Sequence, residues 1–174
     1  MAPETMPALG LADLNVPGVG QFMAEEIDLD MSLGRLYLSD RLSTAGQAAY
    51  PDLLREAALR HDAEWLAASL SADGLWSATE QRRNPRGGFS LVRAPRTAAL
   101  TLADGKYNRL YLRGLCRLAQ ERGVAELTVY RAKAVPQPRP ESERVIGSPL
   151  DAAQVLAGLR AHPSIGLRTA PPAG

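Results

Sequence analysis

Arg109, Arg113 and Arg117 stand four residues apart in YNRLYLRGLCRLAQERG (107–123), a stretch that otherwise reads as a core helix. At about 100° per residue, Lys106, Arg109, Arg113, Arg117 and Gln120 share one narrow arc. Tyr107, Leu110, Tyr111, Leu112, Gly114, Leu115, Cys116, Leu118 and Ala119 cover nearly all the rest. A helix apolar over most of its circumference belongs at the centre of a fold or assembly. Guanidinium groups are planar and carry several donors, so the strip suits recognition of carboxylates or phosphates. Repulsion at this spacing is about 0.2–0.5 kcal/mol per pair, which core burial offsets. The expectation is that Arg113, central in the strip, sits exposed at a contact while Leu115, nearly opposite, lies in the core.

A second basic set, Arg82, Arg83, Arg86, Arg93 and Arg96, falls in QRRNPRGGFSLVRAPR (81–96). Asn84-Pro85 and Gly87-Gly88 are breakers and FSLVR is strand-like, so this segment reads as an exposed basic loop or hairpin. The opposite charge is concentrated at the other end. The first 34 residues hold Glu4, Asp13, Glu25, Glu26, Asp28 and Asp30 and no Lys or Arg. Residues 82–122 hold ten cations against Asp104 and Glu121, an asymmetry that the net charge of +1 conceals. Eighteen of the twenty basic residues are arginine, a skew that a GC-rich genome also produces. Position, not number, therefore carries the argument.

Groups suited to catalysis are sparse. The two histidines, His61 and His162, are about a hundred residues apart, and His61 falls on the apolar side of a helix pattern. No metal-ligand spacing, Gly-x-Ser-x-Gly turn or phosphate-binding glycine loop occurs. Cys116, the single cysteine, rules out an intrachain disulfide and reads as a buried, inert thiol. Glu141 and Glu143, two apart, are similar in spacing to the Glu-x-Glu pair of ADP-ribosyltransferases, a likeness of three residues; they read as a solvated loop. No cofactor is implied.

The elements that must position these groups give an α+β fold. A chain of 174 residues, 45% hydrophobic and 22% charged, suits one domain with flanking arms. Residues 1–26 read as an acidic Pro/Gly-rich arm, 27–162 as a compact α+β domain, and 163–174 as a loose tail. A helix is expected over about 51–71, with Pro51 at its first position. The central helix is expected over about 105–122, capped by Asp104, stopped by Gly123 and lying beside a small sheet. The segment 27–40 fits a strand or a short helix. AELTVYRAK (125–133) alternates as a strand does, VPQPRP (135–140) reads as a stiff connector, and Ser148 to Asp151 starts a last helix. No apolar run is long enough to span a membrane, and the N-terminus lacks the features of a secretion signal. These features point to a cytoplasmic protein, with a virion as a further setting.

Three functions follow in order. The first is a non-enzymatic structural subunit of a homomeric or virion-like assembly, in which the acidic arm (Glu25, Glu26, Asp28, Asp30) contacts a basic surface on a neighbouring subunit. The second is a nucleic-acid-binding module using the 82–96 loop and the Arg109/Arg113/Arg117 strip; few aromatics and a small net charge count against it. A small transferase or hydrolase ranks third. No membrane partner is expected.

Overall fold

A computed structural model describes residues 16–72, 74–77, 79–93, 97–130, 137 and 139–162. The segments 1–15 and 163–174, most of the expected arm and the tail, lie outside these residues, as do 131–133 of the expected strand and 135, 136 and 138 of the expected connector.

Among the described residues there are six helices and two antiparallel strand pairs, an α+β architecture. Helix α1 (Val19–Ser32) replaces the last part of the expected arm and the first part of the ambiguous 27–40 segment. Its buried positions are Val19, Met23, Ala24, Glu26, Ile27 and Asp30, a helical stripe in which two members are acidic. Counting those acids as solvent-facing hides the stripe.

The expected 51–71 helix is two helices. Helix α2 (Thr44–Arg60) starts earlier because Ser43 caps it, its Oγ accepting from the Gly46 N–H at 3.0 Å. Pro51 consequently lies inside the helix rather than at its start. The chain turns extended at His61, and Asp62 caps helix α3 (Ala63–Leu70) by accepting from the Trp65 N–H at 2.8 Å. A second N-cap inside the pattern thus splits it.

Strands β1 (Thr79–Arg83) and β2 (Phe89–Arg93) form the hairpin that the breakers implied. Gly87 and Gly88 take φ of 91° and 83°, which a side chain would resist, and Asn84 receives the hydroxyl of Ser90 at 2.6 Å. Helix α4 (Ala98–Glu121) begins about a turn and a half before Asp104, which is an interior position and not a cap. Ala98, Ala99, Leu102 and Ala103 are buried, so the apolar face extends back to the first turn of the helix. Gly123, at φ 71°, follows its end as expected.

Strand β3 (Glu126–Thr128) is the short core of the expected 125–133 strand and pairs with β4 (Pro149–Asp151). Helix α5 (Pro140–Val145) lies between them and carries Glu141 and Glu143, which are exposed but on a short helix rather than in a loop. Asp151 caps helix α6 (Ala152–Ala161), accepting from the Gln154 N–H at 2.7 Å.

Helix α4 is central: it packs against α1, α3 and α6. Two glycines allow α1 to lie close between its neighbours. A Cβ on Gly20 would stand 2.3 Å from the Ala58 carbonyl of α2, and one on Gly114 would stand 2.9 Å from Met23 Cγ. The main core joins α1 to α4; a smaller cluster of Cys116, Ala119, Ala152 and Leu156 seats α6 on α4. Among the described residues no helix is long and apolar enough to cross a membrane.

Candidate functional site

The arginine strip is covered at its centre and partly covered at Arg109 and Arg117. Because α1 and α6 both pack on α4, the strip lies along their junction, and the acids of α1 meet it within the same chain. Arg113 is 2% exposed. Its Nη1 donates to Asp30 Oδ2 at 2.6 Å, its Nη2 to Asp30 Oδ1 at 3.0 Å, and its Nε to Glu26 Oε2 at 2.8 Å. The fork geometry of guanidinium matches this double carboxylate demand, which a lysine could not meet. The expectation of an exposed Arg113 is thus overturned. Leu115 is partly buried and packs against the main core.

Glu26 is the hub. Fully buried on α1, it also accepts from Arg117 Nη1 at 3.3 Å and from Arg160 Nε at 3.0 Å, with Arg160 Nη2 on its other oxygen. Burial alone would raise its pKa, but the hydrogen bonds from Arg160 and Arg113, with their charges, outweigh that and hold it at about 2. Arg117 reaches outward to Glu25 Oε2 at 2.8 Å and lies over the Phe22 ring at 4.8 Å. The cluster balances three guanidinium groups (Arg113, Arg117, Arg160) against three carboxylates (Glu25, Glu26, Asp30). Arg160 was missed by sequence reasoning: it lies 134 residues from Glu26, and no local pattern distinguishes it from a solvated arginine.

The remaining predicted residues scatter. Asp28 pairs with Arg55 of α2 at 2.8 Å on the surface. Arg109 Nη2 donates to the Leu159 carbonyl at 2.5 Å and to that of His162, so a cation sits at the carbonyl end of α6 where the helix dipole favours it. The ammonium of Lys106 lies 3.7 Å over the Tyr37 ring. Arg83 and Arg86 are exposed on the hairpin, Arg82 and Arg93 have their backbone in its strands, and Arg96 lies outside the described residues. The strip on α4 is thus engaged by α1 and α6, while Arg83 and Arg86 stand exposed on the hairpin.

The candidate catalytic groups stay apart. His61 is half-exposed and stacks on Trp65 with ring centroids 4.2 Å apart. Burial pushes the Cys116 thiol up to about 11, which leaves it protonated and unreactive at neutral pH. Among the described residues no group of three His, Cys, Asp or Glu side chains could hold a metal.

The hairpin is the uncovered part of the fold. Among the described residues, its substantial packing is between its own two strands. Phe89 and Leu91, two apart on β2 and hence on one face, are each 69% exposed, and Arg83 is the cross-strand partner of Phe89. Exposed apolar residues also occur at the end of α1 and just after it: Met31, Leu33, Tyr37 and Leu38.

Comparison with family models, with curated proteins and with solved structures finds no match to the chain.

Proposed function

We propose that this protein is a non-enzymatic structural subunit of a homomeric or virion-like assembly, and that the β1–β2 hairpin is the element that meets a neighbour. The observation that carries this reading is the exposure of Phe89 and Leu91 on a two-stranded ribbon whose substantial packing, among the described residues, is between its own strands. Isolated hairpins are marginal in water, and each large apolar side chain gains about 1.5–3 kcal/mol when fully buried. A neighbouring surface would supply that burial. Exposed Met31, Leu33 and Leu38 extend the same argument to a second contact. The carboxylates first assigned to a neighbour, Glu25, Glu26 and Asp30, are engaged within the chain. The contact we propose is accordingly apolar, with Arg83 and Arg86 at its polar margin.

Light scattering coupled to size-exclusion chromatography tests it. The wild-type chain is expected to run as an oligomer and Phe89→Ser/Leu91→Ser as a monomer with unchanged circular dichroism. A wild-type monomer at all concentrations, or an unaltered oligomer in the variant, defeats the reading.

A second reading is binding of duplex nucleic acid by the hairpin. It is favoured by exposed Arg83 and Arg86 on a two-stranded antiparallel ribbon, a shape that the major groove admits. Retention on DNA or RNA would then fall with salt at a log–log slope of roughly −0.9 per duplex phosphate neutralised. Arg109, Arg113 and Arg117, occupied inside the fold, would contribute nothing to that slope.

A further inference from the structure

The ladder of the hairpin fixes which backbone groups face its outer edges. The Asn84 N–H donates to the Gly88 carbonyl at 3.0 Å, so these two residues form a hydrogen-bonded pair. Opposed pairs alternate along an antiparallel ladder between bonded and non-bonded. The next pair, Arg83 and Phe89, is therefore non-bonded, Arg82 and Ser90 are bonded, and Gln81 and Leu91 are non-bonded again. On β2 the N–H and C=O groups of Phe89, Leu91 and, by the same alternation, Arg93 point away from β1. Among the described residues the sheet has two strands, and no third strand pairs with that edge. Ser90 lies on the opposite face, where its hydroxyl donates to Asn84 Oδ1 at 2.6 Å.

The residues that turn their backbone to the edge also carry the exposed apolar face, for Phe89 and Leu91 are each 69% exposed. Charged residues, proline and bulges are what keep an edge strand from pairing with another chain. Strand β1, TEQRR, holds three charges; β2, FSLVR, has no proline and one charge, at its end. The β2 edge is the unguarded one. Three or more strands with an apolar face are stable where two are marginal, so added strands would complete this sheet.

We propose that β2 pairs edge to edge, antiparallel, with β2 of a second copy of this chain about a two-fold axis at Leu91. The product is a four-stranded sheet in the order β1–β2–β2–β1. The proposal rests on the assembly reading above and specifies its partner and its contact. In this register the N–H and C=O of Leu91 meet the same groups of the second copy, and Phe89 pairs with Arg93 of the second copy. The two Leu91 side chains then lie side by side on one face, where cross-strand apolar neighbours stabilise each other. Antiparallel order also points the two hairpin tips in opposite directions, which separates exposed Arg83 and Arg86 from their copies. Parallel order would set these like charges side by side. A strand of a different protein is the competing occupant; the match of the edge to itself under a two-fold favours a second copy.

Cysteine pairing on the full chain tests the register. At the two-fold axis opposed Cα atoms stand about 5.5 Å apart, within disulfide reach. Phe89 and its copy are offset by four positions, roughly 14 Å at about 3.4 Å per residue, which is out of reach. Under mild oxidation Leu91→Cys is expected to run as a disulfide-linked dimer in non-reducing electrophoresis and Phe89→Cys as a monomer, although the two positions are equally exposed. The wild type, whose Cys116 is fully buried, is the control. Arg93→Pro removes an outward N–H without altering either apolar side chain or the ladder to β1, and is expected to lose the dimer in light scattering. Equal crosslinking at positions 89 and 91, or none at either, overturns the edge pairing. An oligomer that survives in Arg93→Pro but is lost in Phe89→Ser/Leu91→Ser overturns it too, while leaving the assembly reading in place. A wild-type monomer at all concentrations overturns both.

Discussion

Arg113 on α4 closes a two-pronged fork on Asp30 of α1, 83 residues earlier, at 2.6 and 3.0 Å, with both side chains nearly sealed from water. The same guanidinium reaches Glu26, so one arginine holds two turns of α1 against the central helix. Desolvating charges costs several kcal/mol per ion, and only this dense mutual bonding offsets it. The cluster is therefore far more sensitive to losing one member than its net contribution to stability suggests.

Arg113→Glu is expected to unfold the protein or destabilise it by at least about 3–5 kcal/mol, because it buries a third acid beside Glu26 and Asp30. Glu25→Gln, at the half-exposed end of the network, should cost under about 1 kcal/mol. Urea titrations of the two variants measure the contrast. Equal and small losses would mean that the cluster is open to water.

Arg113→Met should be strongly destabilising, since it strands the Asp30 carboxylate, whereas Arg113→Met/Asp30→Leu should recover a good part of the loss. The double-mutant cycle is expected to show a coupling of about 0.5–3 kcal/mol. Additive losses would rule out the pairing as the source of the effect.

Acid should expose the hub. Glu26 is held at about 2 in the fold against 4.5 for the ordinary group, so its contribution is fully present above pH 4.5. It is lost as pH falls from 4.5 towards 2, and amounts to roughly 3 kcal/mol. Stability measured across that window should fall more steeply in the wild type than in Glu26→Gln. Parallel curves would place the acid sensitivity elsewhere.

Gly20→Ala should destabilise, although alanine is the better helix former, because its Cβ would stand 2.3 Å from the backbone oxygen of Ala58. Gly105→Ala, with nothing within 4 Å of the added carbon, should stabilise by about 0.5–1 kcal/mol. Melting temperatures of the two variants moving in opposite directions would confirm that α1 and α2 approach at Gly20. A shared increase would show that they do not.

What the sequence determined by itself is the local grammar. Asn84-Pro85 and Gly87-Gly88 imply the hairpin and Gly123 stops the central helix, because each acts through its own backbone within a few residues; the helix start expected over Ser148 to Asp151 is instead a short strand whose last residue caps the helix. The apolar circumference of residues 107–119 likewise required a central position for α4. The complementary charges of residues 25–30 and 109–117 were legible as two sets, but their meeting place was not. Helical periodicity says which residues share a face and is silent on what covers it. Only the packing of α1 and α6 on α4 covered the centre of the strip and joined Arg160 to Glu26, while Phe89 and Leu91 stay exposed on the hairpin. A buried carboxylate and a solvated one are the same letter; the difference is the desolvation and the arginines that the tertiary fold brings to it.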